Sequence, residues 1–203
     1  MAKFSPRKRP KRILFLCGSP RPSGNTNTVV KWARQGAEAA GAAVTVVDAA
    51  KMKFKANGCI CCMGCQRSKE FKCVIADDAQ PVLASMPRYD VLVFATPVYF
   101  FGPTAQLKLV LDRMYSLFKF DQPVPGLGCA IGHATLGLIS TAGDGLAGGL
   151  GAVADSFGIL SRFTGCPLKK LLVPGAPKDP KDLARDAKLR AKAMAFGRKL
   201  AGK

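Results

Sequence analysis

The chain has 203 residues, 48% of them hydrophobic and 22% charged, which leaves room for one well-buried α/β core and too little for two full-sized catalytic domains. No uncharged apolar run approaches the roughly 18 residues of a membrane-spanning helix, and the basic start MAKFSPRKRPKR leads into an apolar run, Ile13 to Cys17, too short for a signal-peptide core, so a soluble, cytoplasmic protein with no membrane partner is expected. The net charge of +18 lies largely at the two ends, in Lys3 to Arg12 and Lys178 to Lys203, and reads as solvated termini or as docking for an acidic redox partner, with no nucleic acid expected.

Five apolar runs recur along the chain: Ile13 to Cys17, Val44 to Ala49, Val91 to Pro97, Ala134 to Thr141 and Leu168 to Gly175. The middle runs are nearly continuous in Val, Leu, Ile and Phe, as strands covered on both faces are. Between and after them, Thr26 to Ala40, Gln106 to Phe118, Leu146 to Phe163 and Pro180 to Leu200 have the length and Ala/Leu/Lys content of helices. Strands alternating with helices give an α/β fold, a doubly wound five-stranded parallel sheet with helices on both faces. Ligands of such sheets bind beyond the C-terminal strand ends, where the strand order reverses.

The first strand ends in Gly18-Ser19-Pro20-Arg21-Pro22-Ser23-Gly24-Asn25-Thr26 and runs straight into a helix, so backbone N–H groups, hydroxyls and a helix N-terminus converge into an anion cradle. Ser19, Ser23, Asn25 and Thr26 donate hydrogen bonds, Arg21 adds a fixed charge, and Gly24 admits close backbone approach. With neither a Gly-Lys-Ser/Thr nor a G-x-G-x-x-G pattern, a phosphate monoester is the better fit.

The only long irregular stretch, Lys53 to Asp78, holds five cysteines. Omitting Cys61, they are spaced C-x2-C-x2-C-x7-C through Cys59, Cys62, Cys65 and Cys73, and the three at x2 spacing resemble the run that wraps a cubane cluster in bacterial ferredoxins. Zinc ribbons use two separated C-x2-C knuckles, a poorer match, and disulfides are disfavoured inside a cell. Cys17, Cys129 and Cys166 lie in or beside strands and read as small buried hydrophobes. The aromatic turn Pro97-Val98-Tyr99-Phe100-Phe101-Gly102, after the third strand, could flank a planar ring, with Thr141, Gly143 and Asp144 after the fourth strand closing the other side. His133, the one histidine, precedes a strand on the far edge and is assigned no chemistry.

The GSPR-x-x-GNT loop resembles that of the NAD(P)H-dependent FMN reductase and iron–sulfur flavoprotein group, of flavodoxin-like fold, from about Arg12 to the end. A P-x-Y-x-x-x-x-P/T-A-x-x-K-x-x-x-D-R pattern is matched by Pro97, Tyr99, Thr104, Ala105, Lys108, Asp112 and Arg113. The resemblance implies FMN, its phosphate on Ser19, Arg21, Ser23, Asn25 and Thr26 and its ring bordered by Pro97 to Gly102, while Lys108, Asp112 and Arg113 are structural or at a subunit contact. The cysteine spacing is similar to the compact motif of the iron–sulfur flavoproteins, which implies a [4Fe-4S] cluster on Cys59, Cys62, Cys65 and Cys73; Cys61 stands where the family commonly has Gly.

The implied function is an FMN-dependent oxidoreductase that passes electrons between a ferredoxin-like donor, the cluster and FMN, as a homo-dimer or homo-tetramer. Cluster-free NAD(P)H-dependent FMN or quinone reductases resemble the same Cys73-Val74-Ile75-Ala76-Asp77-Asp78 stretch and form the alternative, beside a non-catalytic flavodoxin-like electron carrier. In domain terms, residues 1–12 read as a basic arm and 13–203 as one FMN-binding domain with a cysteine-rich loop at 53–78.

Overall fold

The computed structural model describes residues 9–120 and 128–203; most of the basic arm, residues 1–8, lies outside that range. Five strands, β1 (Arg12–Cys17), β2 (Ala43–Asp48), β3 (Val91–Pro97), β4 (Thr135–Thr141) and β5 (Leu168–Val173), form one sheet in the order β2-β1-β3-β4-β5, every pairing parallel. The order reverses between β1 and β3, so a crevice opens beyond their C-terminal ends. Strand β3 is buried along both faces, as its run of Val, Leu and Phe requires, whereas β2, at the sheet edge, is half exposed.

Alternate residues of the central strands feed two separate cores, because successive side chains of a strand face opposite ways. Leu14, Leu16, Leu92, Phe94, Leu136 and Leu138 pack under α2 (Ala79–Ser85), α3 (Ala105–Arg113) and α4 (Leu150–Thr164). On the opposite face Ile13, Phe15, Val91 and Val93 meet α1 (Asn25–Ala39) and α6 (Ala187–Ala201), with Leu183 of the short α5 (Pro180–Ala184). The two long helices of that face touch backbone to backbone: a Cβ on Gly36 would lie 2.0 Å from the Met194 carbonyl oxygen, and one on Gly197 would lie 1.8 Å from that of Ala33. No side chain fits at either position.

Several helical segments differ from expectation; the helix expected from Leu146 begins at Leu150, after a 3-10 turn at Leu146–Gly148. The run from Pro180 breaks in two because the Asp186 carboxylate accepts a hydrogen bond from the Leu189 N–H and caps a new helix. Helix α3 stops at Arg113, and a 3-10 turn, Met114–Leu117, continues the chain. Helix α2 had no counterpart among the expected helices; at seven residues with Pro81 inside its first turn, it is too short to show a periodic pattern. Among the described residues no helix is long and apolar enough to cross a membrane.

Candidate functional site

Gly18 follows directly on β1, and its backbone is held from both sides: its N–H donates to the Ala95 carbonyl at 2.8 Å, and the Thr104 hydroxyl donates to its own carbonyl at 2.6 Å. A Cβ there would meet the Leu107 Cβ at 2.5 Å, so only glycine lets the loop start this close to α3. Six residues on, Gly24 is the N-cap of α1 and carries no side chain to satisfy the first N–H groups of the helix. Those donors and the positive end of the helix dipole face the loop. Ser19 is buried beneath it, and Arg21 extends from it exposed.

Asn25 and Thr26 join this loop to two others. The Asn25 side-chain amide donates to the Pro177 carbonyl at 2.7 Å, and its buried Oδ1 has no partner. The Thr26 and Thr141 hydroxyls meet at 2.8 Å. On the β3 side, the Val98 N–H donates to the Thr141 carbonyl at 2.8 Å, and Tyr99 and Gly102 exchange backbone hydrogen bonds across a tight turn. Both corners of that turn, Phe100 and Phe101, have positive φ, 44° and 65°, the pattern of a type I′ turn that ordinarily selects Asn and Gly. The two residues are nonetheless 96% and 62% exposed. Glycine is required where the β4 loop returns, since a Cβ on Gly149 (φ 100°) would lie 2.8 Å from the Phe101 Cα.

These contacts enclose a cavity of about 200 Å³. Of the residues expected at a flavin, Ser19, Arg21, Gly24, Asn25, Thr26, Pro97, Val98, Tyr99, Thr141 and Gly143 line it. Ser23, Phe100, Phe101, Gly102 and Asp144 are not in its lining; Phe100 and Phe101 form the projecting rim, and Asp144 accepts a hydrogen bond from the Gly145 N–H. Ala142, within the expected β4 loop, lines it too, and sequence reasoning missed Ala176, Pro177 and Lys178, which complete the wall. The signal for the last three was their position after β5, at the same sheet edge as the other loops. The volume falls below the roughly 300–1,000 Å³ of a site that encloses a whole drug-sized ligand and suits one end of a longer molecule. An uncapped helix start suits a phosphate, and the orphaned Asn25 oxygen suits a hydroxyl-bearing chain, so the residues present fit FMN.

A second cavity of about 330 Å³, which shares no lining residue with the first, holds Cys59, Cys61, Cys62, Cys65 and Cys73 against Asp112, Arg113, Tyr115 and Ser116. Helix α3 links the two cavities, because the loop after β3 leads into it and Asp112 and Arg113 end it. Cys59, Cys61 and Cys62 are exposed, while Cys65 and Cys73 are buried. Cys61 and Met63 take left-handed φ values of 52° and 55°, so the chain reverses repeatedly and turns successive side chains apart. Burial pushes the Cys59 thiol up against the opposing pull of the Cys61 backbone N–H, with the Cys61 and Cys65 thiols adding to the rise.

Two buried cations flank this bowl. Arg113 and Asp77 pair at 2.7 Å with side chains 0% and 1% exposed; the second arm of the guanidinium donates to the Ile75 carbonyl at 3.0 Å and to the Cys73 Sγ at 3.5 Å. Burial raises the Asp77 pKa, but the Arg113 guanidinium and the Lys55 backbone N–H outweigh it and hold the carboxyl below its ordinary range. Lys119 is not in the lining itself; its ammonium donates to the carbonyls of Cys65, Ser68 and Glu70 at 2.5, 2.6 and 2.7 Å.

Among the described residues no three His, Cys, Asp or Glu side chains converge on the position of a single metal ion. Zinc would need its thiolates within about 2.3 Å of one point. A polynuclear body is held at its separate corners, and five thiols around one bowl fit that demand. Of the remaining cysteines, Cys17 and Cys166 are buried and Cys129 half-buried, with burial and Asp48 pushing the Cys17 thiol up to about 12. His133 is exposed at the opposite end of β4.

An iron-sulfur flavoprotein of Methanocaldococcus jannaschii is 36% identical to the chain over 102 residues, 50% of this chain and 51% of that protein. An iron-sulfur flavoprotein of Archaeoglobus fulgidus is 32% identical over 103 residues, 51% and 45% of the two chains. The chain thus spans about half the length of the curated relatives it matches. Among solved structures, the NAD(P)H:quinone oxidoreductase from Methanothermobacter marburgensis superposes over 95% of this chain and 98% of its own with a TM-score of 0.71 at 18% identity. An FMN-dependent NADH-azoreductase from Bacillus anthracis does so over 94% and 100% with a TM-score of 0.66 at 12% identity; these likenesses concern the fold. Residues 11–177, from the first strand to the loop that closes the smaller cavity, match the NADPH-dependent FMN reductase family, and the chain belongs to that family.

Proposed function

We propose that the chain is an FMN-dependent oxidoreductase that holds FMN in the cavity at the ends of β1, β3 and β4 and an iron–sulfur cluster on Cys59, Cys62, Cys65 and Cys73. In domain terms, residues 13–203 form the FMN-binding unit, with 53–78 as its cysteine loop and 1–12 as a basic arm. One observation carries the flavin part: the uncapped start of α1, with Arg21 beside it, opens into the same cavity as the loops after β3 and β4. Family membership supports it.

FMN supplies hydride and single-electron chemistry when bound; the protein supplies binding and orientation. Ser19, Arg21 and the first N–H groups of α1 hold the phosphate, and Ser23 and Gly24 shape the loop around it. Thr26 and Thr141, tied to each other, fix the spacing between the phosphate loop and the β4 loop. The backbone from Pro97 to Gly102 borders the ring on one side and Gly143 and Asp144 on the other. Phe100 and Phe101 stand at the rim to exclude water once a ligand lies against them.

The names of the two archaeal relatives and the five thiols around one bowl support the cluster and, with it, a ferredoxin-like electron donor. The second reading, a cluster-free reductase that takes electrons from NAD(P)H, is favoured by the lack of three converging ligand side chains among the described residues. An anaerobic absorption spectrum with flavin, iron and sulfide analysis after reconstitution separates the two. FMN with iron and sulfide supports the first reading; FMN alone, with turnover of NADPH or NADH, supports the second.

A further inference from the structure

The two buried cysteines of the bowl each have a buried cation at hand. Arg113 reaches the Cys73 sulfur itself, at 3.5 Å. Lys119 grips the Cys65 carbonyl together with those of Ser68 and Glu70, and so fixes the backbone that carries the thiol. Their charges are not equivalent. Asp77 neutralises the guanidinium through two contacts of 2.8 and 2.7 Å, whereas Lys119, only 5% exposed, forms no ion pair among the described residues. Its ammonium meets three carbonyl dipoles and the face of the Phe71 ring, 5.4 Å from the centroid, and a buried cation so held is costly unless negative charge gathers nearby. The Cys65 thiol of the bowl and the Glu70 carboxylate are the groups close enough to supply it.

We propose that Arg113 and Lys119 are positioning residues of the cysteine bowl, which hold Cys73 and Cys65 in place and raise the reduction potential of the metal–thiolate body bound there; this rests on the cluster reading above. The sign follows from charge. Gaining an electron makes that body more negative, and both a fixed cation and an N–H directed at a ligand sulfur favour the more negative state.

Two changes test it on the anaerobically reconstituted full-length protein: Lys119→Met, and the paired Asp77→Asn with Arg113→Gln, which removes both charges and leaves no buried ion orphaned. Each variant is titrated with dithionite through redox mediators, and its iron, sulfide and FMN contents are measured. We expect iron to be retained and the ratio of reduced to oxidised cluster at a fixed potential to fall about tenfold in Lys119→Met, about 59 mV for one electron, with Lys119→Arg restoring the wild-type value; the paired variant, which removes no net charge, should show a smaller fall from the lost N–H on the Cys73 sulfur. A merely structural role would not move the potential of variants that still hold iron. Iron-loaded variants with the wild-type potential overturn the inference alone, while wild-type protein that takes up no iron overturns it together with the cluster reading. If Lys119→Met fails to fold, Lys119→Gln takes its place for the charge, and the paired variant decides the part of Arg113.

Discussion

The hydroxyl of Thr26, in the first turn of α1, lies 2.8 Å from that of Thr141, the last residue of β4, and both side chains are buried. Of the two protons in this pair, one lies between the oxygens, so the other is the only one left to turn elsewhere. Thr141→Val keeps the shape and leaves the Thr26 hydroxyl without this partner. The expected cost is about 1–3 kcal/mol, a fall in Tm of roughly 2–4 °C per kcal/mol for a chain of this size. Thermal melts measure it, and an unchanged Tm would mean that the two loops are held by other contacts.

Arg21 is the one charged side chain expected on the phosphate from the loop itself. Arg21→Ala should weaken FMN binding by about 1.5–3 kcal/mol, on the order of tenfold or more, while the affinity for riboflavin, which lacks the phosphate, stays where it was. Titrations of both ligands are needed. Equal loss for the two would place Arg21 at the ring instead.

The turn at Phe100 and Phe101 holds two bulky residues in the left-handed region, which costs on the order of 1–3 kcal/mol each. Phe100→Asn with Phe101→Gly supplies the residues that geometry favours. The ligand-free protein should melt several degrees higher, and FMN should bind less tightly because the rim loses both rings. A variant no more stable than wild type would refute the strain argument.

Cys61 has φ 52°, at a position where the resembling family commonly has Gly. Cys61→Gly should therefore be neutral or stabilising by about 1 kcal/mol and should leave iron uptake intact, whereas Cys65→Ala or Cys73→Ala should abolish uptake and spare FMN. Metal analysis after reconstitution reads this out. Loss of iron in the Cys61 variant would add that thiol to the ligand set.

Asp77 gives the protein a pH limit. Its carboxyl lies below its ordinary value in the folded state, so its contribution to stability is complete above the unfolded value near 3.9 and is lost as pH falls through the folded one. Melts from pH 7 down to pH 3 should show Tm dropping below about pH 4. The Asp77→Asn, Arg113→Gln pair should lose less over the same range, though not nothing, because Asp90, held low by the Arg12 N–H and Arg9 against the effect of burial, remains in both proteins.

The parallel sheet was legible because β1 and β3 are nearly continuous short apolar runs that alternate with helix-length segments, and the phosphate loop because its Gly, Ser and Asn crowd into one short connection. What escaped depends on contacts between distant parts of the chain. Lys178 counts in sequence as one charge of a basic tail; the bond from Asn25 to Pro177, 152 residues apart, and those from Gly175 and Ala176 to the β4 loop bring it to the cavity. Arg113 likewise reads as the end of a helix; that it meets Cys73 and Asp77 across 40 and 36 residues follows from how α3 crosses the cysteine loop.

The glycine contacts at Gly36 and Gly197 have a bearing on how partners arrive. Because they lock α6 against α1, its exposed cations Lys188, Arg190, Lys192, Arg198 and Lys199 keep fixed mutual spacings instead of trailing from a loose tail. A rigid array of like charge projects a directed field, and field of that kind governs the frequency of productive collisions more than the lifetime of the complex. The capture rate of an acidic protein on this face would then fall as added salt shortens the screening length from about 30 Å at 0.01 M to about 10 Å at 0.1 M, with its departure rate little altered.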